Sequence, residues 1–194
     1  MSEVTFGSDG DFSHERMIQR VNTNLANEFG NLVQRTLSMV FKNCDKAVPL
    51  ESEIGPYTPE DEALLEKAKS LREQAGKHIA SQSIHKYAET MITMIWESNK
   101  YIDNQAPWIL RKTDTDRMKT VLYVLLEVLR YSAILYQPLI PTSANKILDL
   151  LIVPEDERTF DHLTDDYKVR YGAEISKPEG VFPRLELPEE SVVA

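Results

Sequence analysis

Apolar residues recur at three- and four-residue steps along most of this chain, the spacing that puts them on one face of a helix. Ile18, Val21, Leu25, Phe29, Leu32 and Val33 form the first stripe, on a helix predicted from about His14 to Phe41 with Ser13 as its cap. The residues before it, 1–12, are turn-rich. Gly30 interrupts the stripe, and a mid-helix glycine costs up to ~1 kcal/mol. Its use is close approach of a neighbouring helix or access for a ligand. Residues 43–57, with Pro49, Gly55 and Pro56, read as a connector. Thr58-Pro59-Glu60-Asp61 then opens a second helix, with a cap, a proline in the first turn and acids at the positive end. It is expected to reach Gln74 or somewhat beyond, with Gly76 a candidate stop.

A third helix is predicted from about Ser83 to Ile102, apolar at Ile84, Tyr87, Met91, Ile95 and Ile102, with Trp96 expected among its core residues. Pro107 must break or kink the chain just past this helix. Thr113 or Asp114 opens the fourth helix. Met118, Val121, Leu122, Leu125, Val128, Leu129 and Leu135 make it the most apolar and place it at the centre of the fold. Pro138 and Pro141 end it, and Thr142 or Ser143 caps a short fifth helix through Leu151. After Pro154 the pattern thins, and Val181-Phe182-Pro183-Arg184-Leu185 is expected as an extended piece docked on the helices. There is no internal repeat and no convincing strand alternation. The expected fold is all-α: a bundle of about five helices over residues 1–153, with residues 154–194 as an acidic segment packing back on it.

Composition narrows the partners. The chain carries a net charge of −9, and residues 154–194 contribute −6 of it. That balance argues against non-specific DNA binding and leaves nucleic-acid recognition to a few placed contacts. No apolar run reaches the ~18 residues of a membrane span. The start, Met1-Ser2-Glu3-Val4, has neither the basic flank nor the apolar stretch of a signal peptide. The single cysteine, Cys44, excludes an internal disulfide and any multi-cysteine metal site, and reads as a free structural thiol.

Catalytic chemistry finds no foothold. His14, His78, His85 and His162 form no Glu-x-x-His or His-x-x-x-His pair, so no metal is expected, and His85 with Glu89 reads as a surface pair. No Gly-rich phosphate loop and no Gly-x-Ser-x-Gly elbow is present. Two features can read bases. Asn31 and Arg35 are four apart on the first helix, hence on one face ~6 Å apart at Cβ. An amide beside a guanidinium can bond a base edge and a backbone oxygen; otherwise the pair is a solvated face. In Asn104-Gln105-Ala106-Pro107-Trp108, proline can project the indole from a helix end, with Arg111 and Lys112 within a turn as phosphate contacts. That is the composition of a stacking platform for single-stranded nucleic acid; the alternative is an indole packed in the core.

Five blocks in order carry a resemblance: Phe6 to Ser13 (FGSDGDFS), Val21 to Arg35 (VNTNLANEFGNLVQR), Asn99 to Trp108 (NKYIDNQAPW), Val124 to Ile140 with the following PTSANKILDLL, and Gly180 to Arg184 (GVFPR). Together they resemble the anticodon-binding region of methionyl-tRNA synthetases of the bacterial and organellar type. The resemblance implies a helical bundle in which Asn31, Arg35 and Trp108 contact a CAU anticodon. It implies initiator and elongator methionine tRNA as partners, with the catalytic half of the same enzyme as another, in the cytoplasm or in an organelle. ATP, and zinc where a zinc-bearing insertion exists, would belong to that half. The family's His-Ile-Gly-His and Lys-Met-Ser-Lys-Ser motifs are not in this sequence, so the chain alone is expected to be non-catalytic. Met1 then looks like an internal methionine, and the chain like a C-terminal piece. The competing expectation is a protein-interaction or scaffold bundle without RNA binding.

Overall fold

The computed structural model describes residues 13–186. The turn-rich start, with the first resemblance block up to Phe12, and the final part of the acidic segment lie outside the described residues. The predicted first helix is a continuous rod wound in three ways: α1 (His14–Arg20), a π-wound stretch (Val21–Gly30) and α2 (Asn31–Asn43). Ser13 caps it, its Oγ accepting the Arg16 amide at 3.4 Å. The wider i→i+5 winding breaks the helical phase of the predicted stripe. Phe29, Leu32 and Val33 are buried, Ile18, Val21 and Leu25 only half so, and polar Asn24 is turned inward.

The remaining helices are α3 (Pro59–Ala80), α4 (Ile84–Gln105), α5 (Pro107–Thr113), α6 (Thr115–Tyr136) and α7 (Pro141–Leu150), and the described residues hold no regular strand. The all-α class is as expected. The short α5 is an addition to the expected elements: Pro107 breaks the chain and then serves as its first residue. Gly76 does not stop α3, which runs on to Ala80. Ile140 precedes α7 and Pro141 opens it, in place of a Thr142 or Ser143 cap.

Helix α6 is the axle. It is buried at every position from Thr120 to Tyr136 and packs against α2, α3, α4, α5 and α7. Trp96 departs from expectation. The buried stripe of α4 runs through Tyr87, Met91, Met94, Ile95, Ser98 and Ile102; Trp96, one residue (~100°) past Ile95, is turned off it and is 52% exposed.

The segment after α7 is held by buried charge and by apolar contacts. Leu163, Val169, Ile175 and Val181 enter the same core as the helices. Glu127 and Arg130, one turn apart on α6, form a buried pair at 2.9 Å. Arg130 also donates to the carbonyls of His162 (2.9 Å) and Thr164 (3.3 Å), while Glu127 accepts the Val169 amide. Farther on, the chain crosses the π-wound stretch. The Asn22 amide exchanges two hydrogen bonds with the Leu185 backbone, at 2.8 and 2.9 Å. Phe182 packs on Phe29, ring centroids 5.7 Å apart. A Cβ on Gly30 would lie 3.1 Å from the Phe182 ring, so the glycine admits this strap and not a helix.

Removing one partner of a buried ion pair strands the other charge, at a cost of about 3–5 kcal/mol. Arg130→Ala is therefore expected to lower the urea midpoint by that equivalent, with protease cleavage appearing first between His162 and Val169. A loss below about 1 kcal/mol would contradict the role assigned to this pair.

Candidate nucleic-acid interface

The corner between α4 and α5 sets the position of Trp108. Ala106 takes a left-handed conformation (φ 45°, ψ 60°), which costs a non-glycine residue about 1–3 kcal/mol. Its amide still donates to the Ile102 carbonyl at 3.0 Å, closing α4. Its carbonyl accepts from Ile109 (2.8 Å) and Leu110 (3.2 Å), opening α5. Pro107 is buried at the bend, and Trp108 emerges from the first turn with 37% of its surface exposed.

A buried polar network pins this corner. Gln105 at the end of α4 accepts a hydrogen bond from Arg117 of α6 at 2.7 Å. Arg117 turns its other donors on Asp61, reaching Oδ1 at 2.8 Å. Asp61 is fully buried, and it also accepts from the Tyr101 hydroxyl of α4 and from the Thr58 amide at 2.9 Å. The last contact is half of the capping box that starts α3. Burial by itself would raise the Asp61 pKa; the hydrogen bonds from Arg117, Tyr101 and Thr58 outweigh it and hold the carboxyl below the usual carboxylate range.

Against Trp108 stands Arg35 of α2, its guanidinium carbon 5.0 Å from the ring centroid. Asp103 of α4 holds the same guanidinium at 2.6 Å. With side chains 29% and 60% exposed, this ion pair is worth at most about 1 kcal/mol, so its consequence is orientation of Arg35 more than stability. Asn31 is exposed one turn before Arg35, on the same face of α2. Arg111 and Lys112 are exposed three and four residues beyond Trp108, on its side of α5. The structure thus brings Arg35 and Trp108 into contact and leaves Asn31 accessible beside them. Sequence reasoning did not find Asp103, nor the Asp61–Arg117–Gln105 network, because nothing local marks a surface acid or a buried one as the anchor of a distant side chain.

Elsewhere the chemistry is quiet. Burial pushes the Cys44 thiol up to about 11, which leaves it protonated and unreactive at neutral pH. Among the described residues no three His, Cys, Asp or Glu side chains converge as a metal site. No helix there is long and apolar enough to cross a membrane.

Comparison with known proteins decides the family. Residues 48–191 match the anticodon binding domain of methionyl tRNA ligase. The chain belongs to that family. Residues 1–37 match the class I (M) tRNA synthetases. The methionine–tRNA ligase of Rhizobium meliloti (strain 1021) is 47% identical over 189 residues, 97% of this chain and 36% of the relative. That of Rickettsia felis is 46% identical over 186 residues, 96% of this chain and 36% of the relative. The apo methionyl-tRNA synthetase of Mycobacterium tuberculosis superposes with a TM-score of 0.90 at 43% identity, over 96% of this chain and 37% of that one. The chain therefore spans about a third of the length of its methionyl-tRNA ligase relatives. Asn31 and Arg35 fall in the stretch matched to the class I synthetases and Trp108 in the stretch matched to the anticodon domain, so the Arg35–Trp108 contact joins the two matched regions.

A carboxylate whose folded pKa lies below its unfolded value of about 3.9 contributes stability that is complete above that value and is lost as pH falls through the folded pKa. Asp61→Asn is expected to lower stability at pH 7 and to flatten its decline on acidification below about pH 4. Urea unfolding across that range checks it: an acid limb identical to the parent's would show that Asp61 is not the titrating anchor.

Proposed function

We propose that this chain is the anticodon-recognition module of a methionine–tRNA ligase, the enzyme that joins methionine to its tRNA using ATP. The RNA is the CAU anticodon of initiator and elongator methionine tRNA, and the setting is the cytoplasm. Activation of methionine, with ATP and any zinc, falls to the catalytic part of the enzyme. The observation that carries the reading is the Arg35–Trp108 contact: an indole and a guanidinium from distant stretches share one accessible edge, with Asn31 beside them. A scaffold bundle would need Trp108 in the core, and it is 37% exposed.

The roles follow from the chemistry of each group. The guanidinium of Arg35 rests on the Trp108 ring, and an anticodon base stacks on the exposed part of that indole. Held by Asp103, Arg35 keeps donors free for a base edge or a backbone oxygen. Asn31 presents both a donor and an acceptor, which a base edge requires. Arg111 and Lys112 meet phosphates. Against a net charge of −9, so few cations give modest affinity and make base contacts decisive.

Methionine tRNA is expected to bind the chain more tightly than the same transcript with an altered anticodon, measured by filter retention at moderate salt; equal affinities would sink the proposal. Trp108→Ala should weaken binding by about 1–3 kcal/mol. Replacing Arg111 or Lys112 by alanine should reduce the slope of log K against log salt by about 0.7 each, leaving anticodon preference intact.

A further inference from the structure

The exposed Trp96 lies on the same seam as Trp108. From Trp96 the α4 edge of the seam passes through Asn99 and Asp103; the opposite edge passes through Asn24, Glu28, Asn31 and Arg35. Two rungs cross it, Asn99 to Glu28 at 2.9 Å and Arg35 to Asp103 at 2.6 Å. Beyond the Asn99–Glu28 rung the edges part around a hollow of about 320 Å³ lined by Arg20, Asn24, Glu89, Ile92, Thr93 and Trp96. Asn24 is only 8% exposed, yet its side chain forms no hydrogen bond with any described residue, and it faces this hollow. Asn24 thus brings an amide, with both a donor and an acceptor, to the wall of a space beside an open indole. Glu89 disfavours a phosphate inside the hollow and can accept from an exocyclic amine. A second hollow, of about 330 Å³, shares Arg20 and adds Arg16, a basic margin suited to the backbone of the same nucleotide.

We infer that the hollow between Trp96 and Asn24 is a second base-binding subsite, where an unpaired nucleotide of the bound RNA stacks on the Trp96 indole and sets its edge against the Asn24 amide. The inference rests on the RNA-binding reading above and extends it along the seam. Trp96 stands nine residues before Gln105, about 14 Å along α4, the rise of about four stacked nucleotides. One strand can therefore touch both indoles.

The test uses the 194-residue chain and a methionine tRNA transcript with its CAU anticodon. Trp96 is a surface residue, so Trp96→Ala is expected to keep the circular dichroism and urea midpoint of the parent. Its affinity should fall by about 5- to 150-fold, the worth of one stacked base, and Trp96→Phe, which keeps a ring, should restore most of it. The chain has two tryptophans, so Trp108→Phe leaves Trp96 as the sole reporter, and saturating tRNA should quench it. If Trp96→Ala binds as the parent does while Trp108→Ala is weakened, the hollow belongs to a protein contact and this inference is overturned, the anticodon reading standing. If the parent chain shows no anticodon-dependent binding at all, both fall together.

Discussion

The carboxylate of Asp61, withdrawn from water, is the point on which the rest of the structure turns. It caps the start of α3, receives the Tyr101 hydroxyl from α4 and holds Arg117 of α6. A buried carboxylate is tolerable only when its lone pairs are occupied and a cation stands beside it. Those demands bring three helices to fixed distances at one end of the bundle. Arg117 then spends a remaining donor on Gln105, the last residue before the left-handed corner at Ala106. Backbone strain at that corner is carried by the network behind it, and the outcome is an indole held at a fixed place on the surface.

The surface it serves is economical in charge. An acidic chain cannot draw RNA by bulk attraction, so its few cations must be placed. Arg35 is placed twice, by the Asp103 carboxylate and by the Trp108 ring. Neither contact is strong alone: an exposed ion pair and an exposed cation–π contact each amount to about 1 kcal/mol or less. Their geometry matters more than their strength, since both restrict a long side chain that would otherwise sample many rotamers.

The acidic segment after α7 shows the same use of buried charge. Glu127 and Arg130 sit in the most apolar helix of the chain, and between them they satisfy backbone groups of a segment with little regular structure of its own. The strap beyond it lays Phe182 over Gly30, the residue just before Asn31. The candidate base-reading face of α2 is thus buttressed from one side by the far end of the chain and from the other by α4 and α5.

Much of the architecture was legible in order along the chain. Helical periodicity, the Thr58 capping box, the prolines at 107, 138 and 141 and the apolar run of α6 act within a few residues, and local rules read them. The bundle, its central helix and the ordering of its elements follow from these, and the five blocks pointed to Asn31, Arg35 and Trp108. The exposure of Trp96 was not legible, and that of Trp108 was legible through the resemblance alone. Each had an apolar or basic neighbourhood in sequence, but exposure depends on which face the helix turns to its partners, and Trp96 lies one residue past the buried stripe. Nor could the pattern show the π winding that turns Asn24 inward, or that Gly30 makes room for Phe182, 152 positions away. The elements and the kinds of side chain they carry were determined by the sequence itself, because those rest on neighbours in the chain. Only the tertiary structure decided which of those side chains meet, because a contact such as Arg35 on Trp108 depends on how separate helices pack.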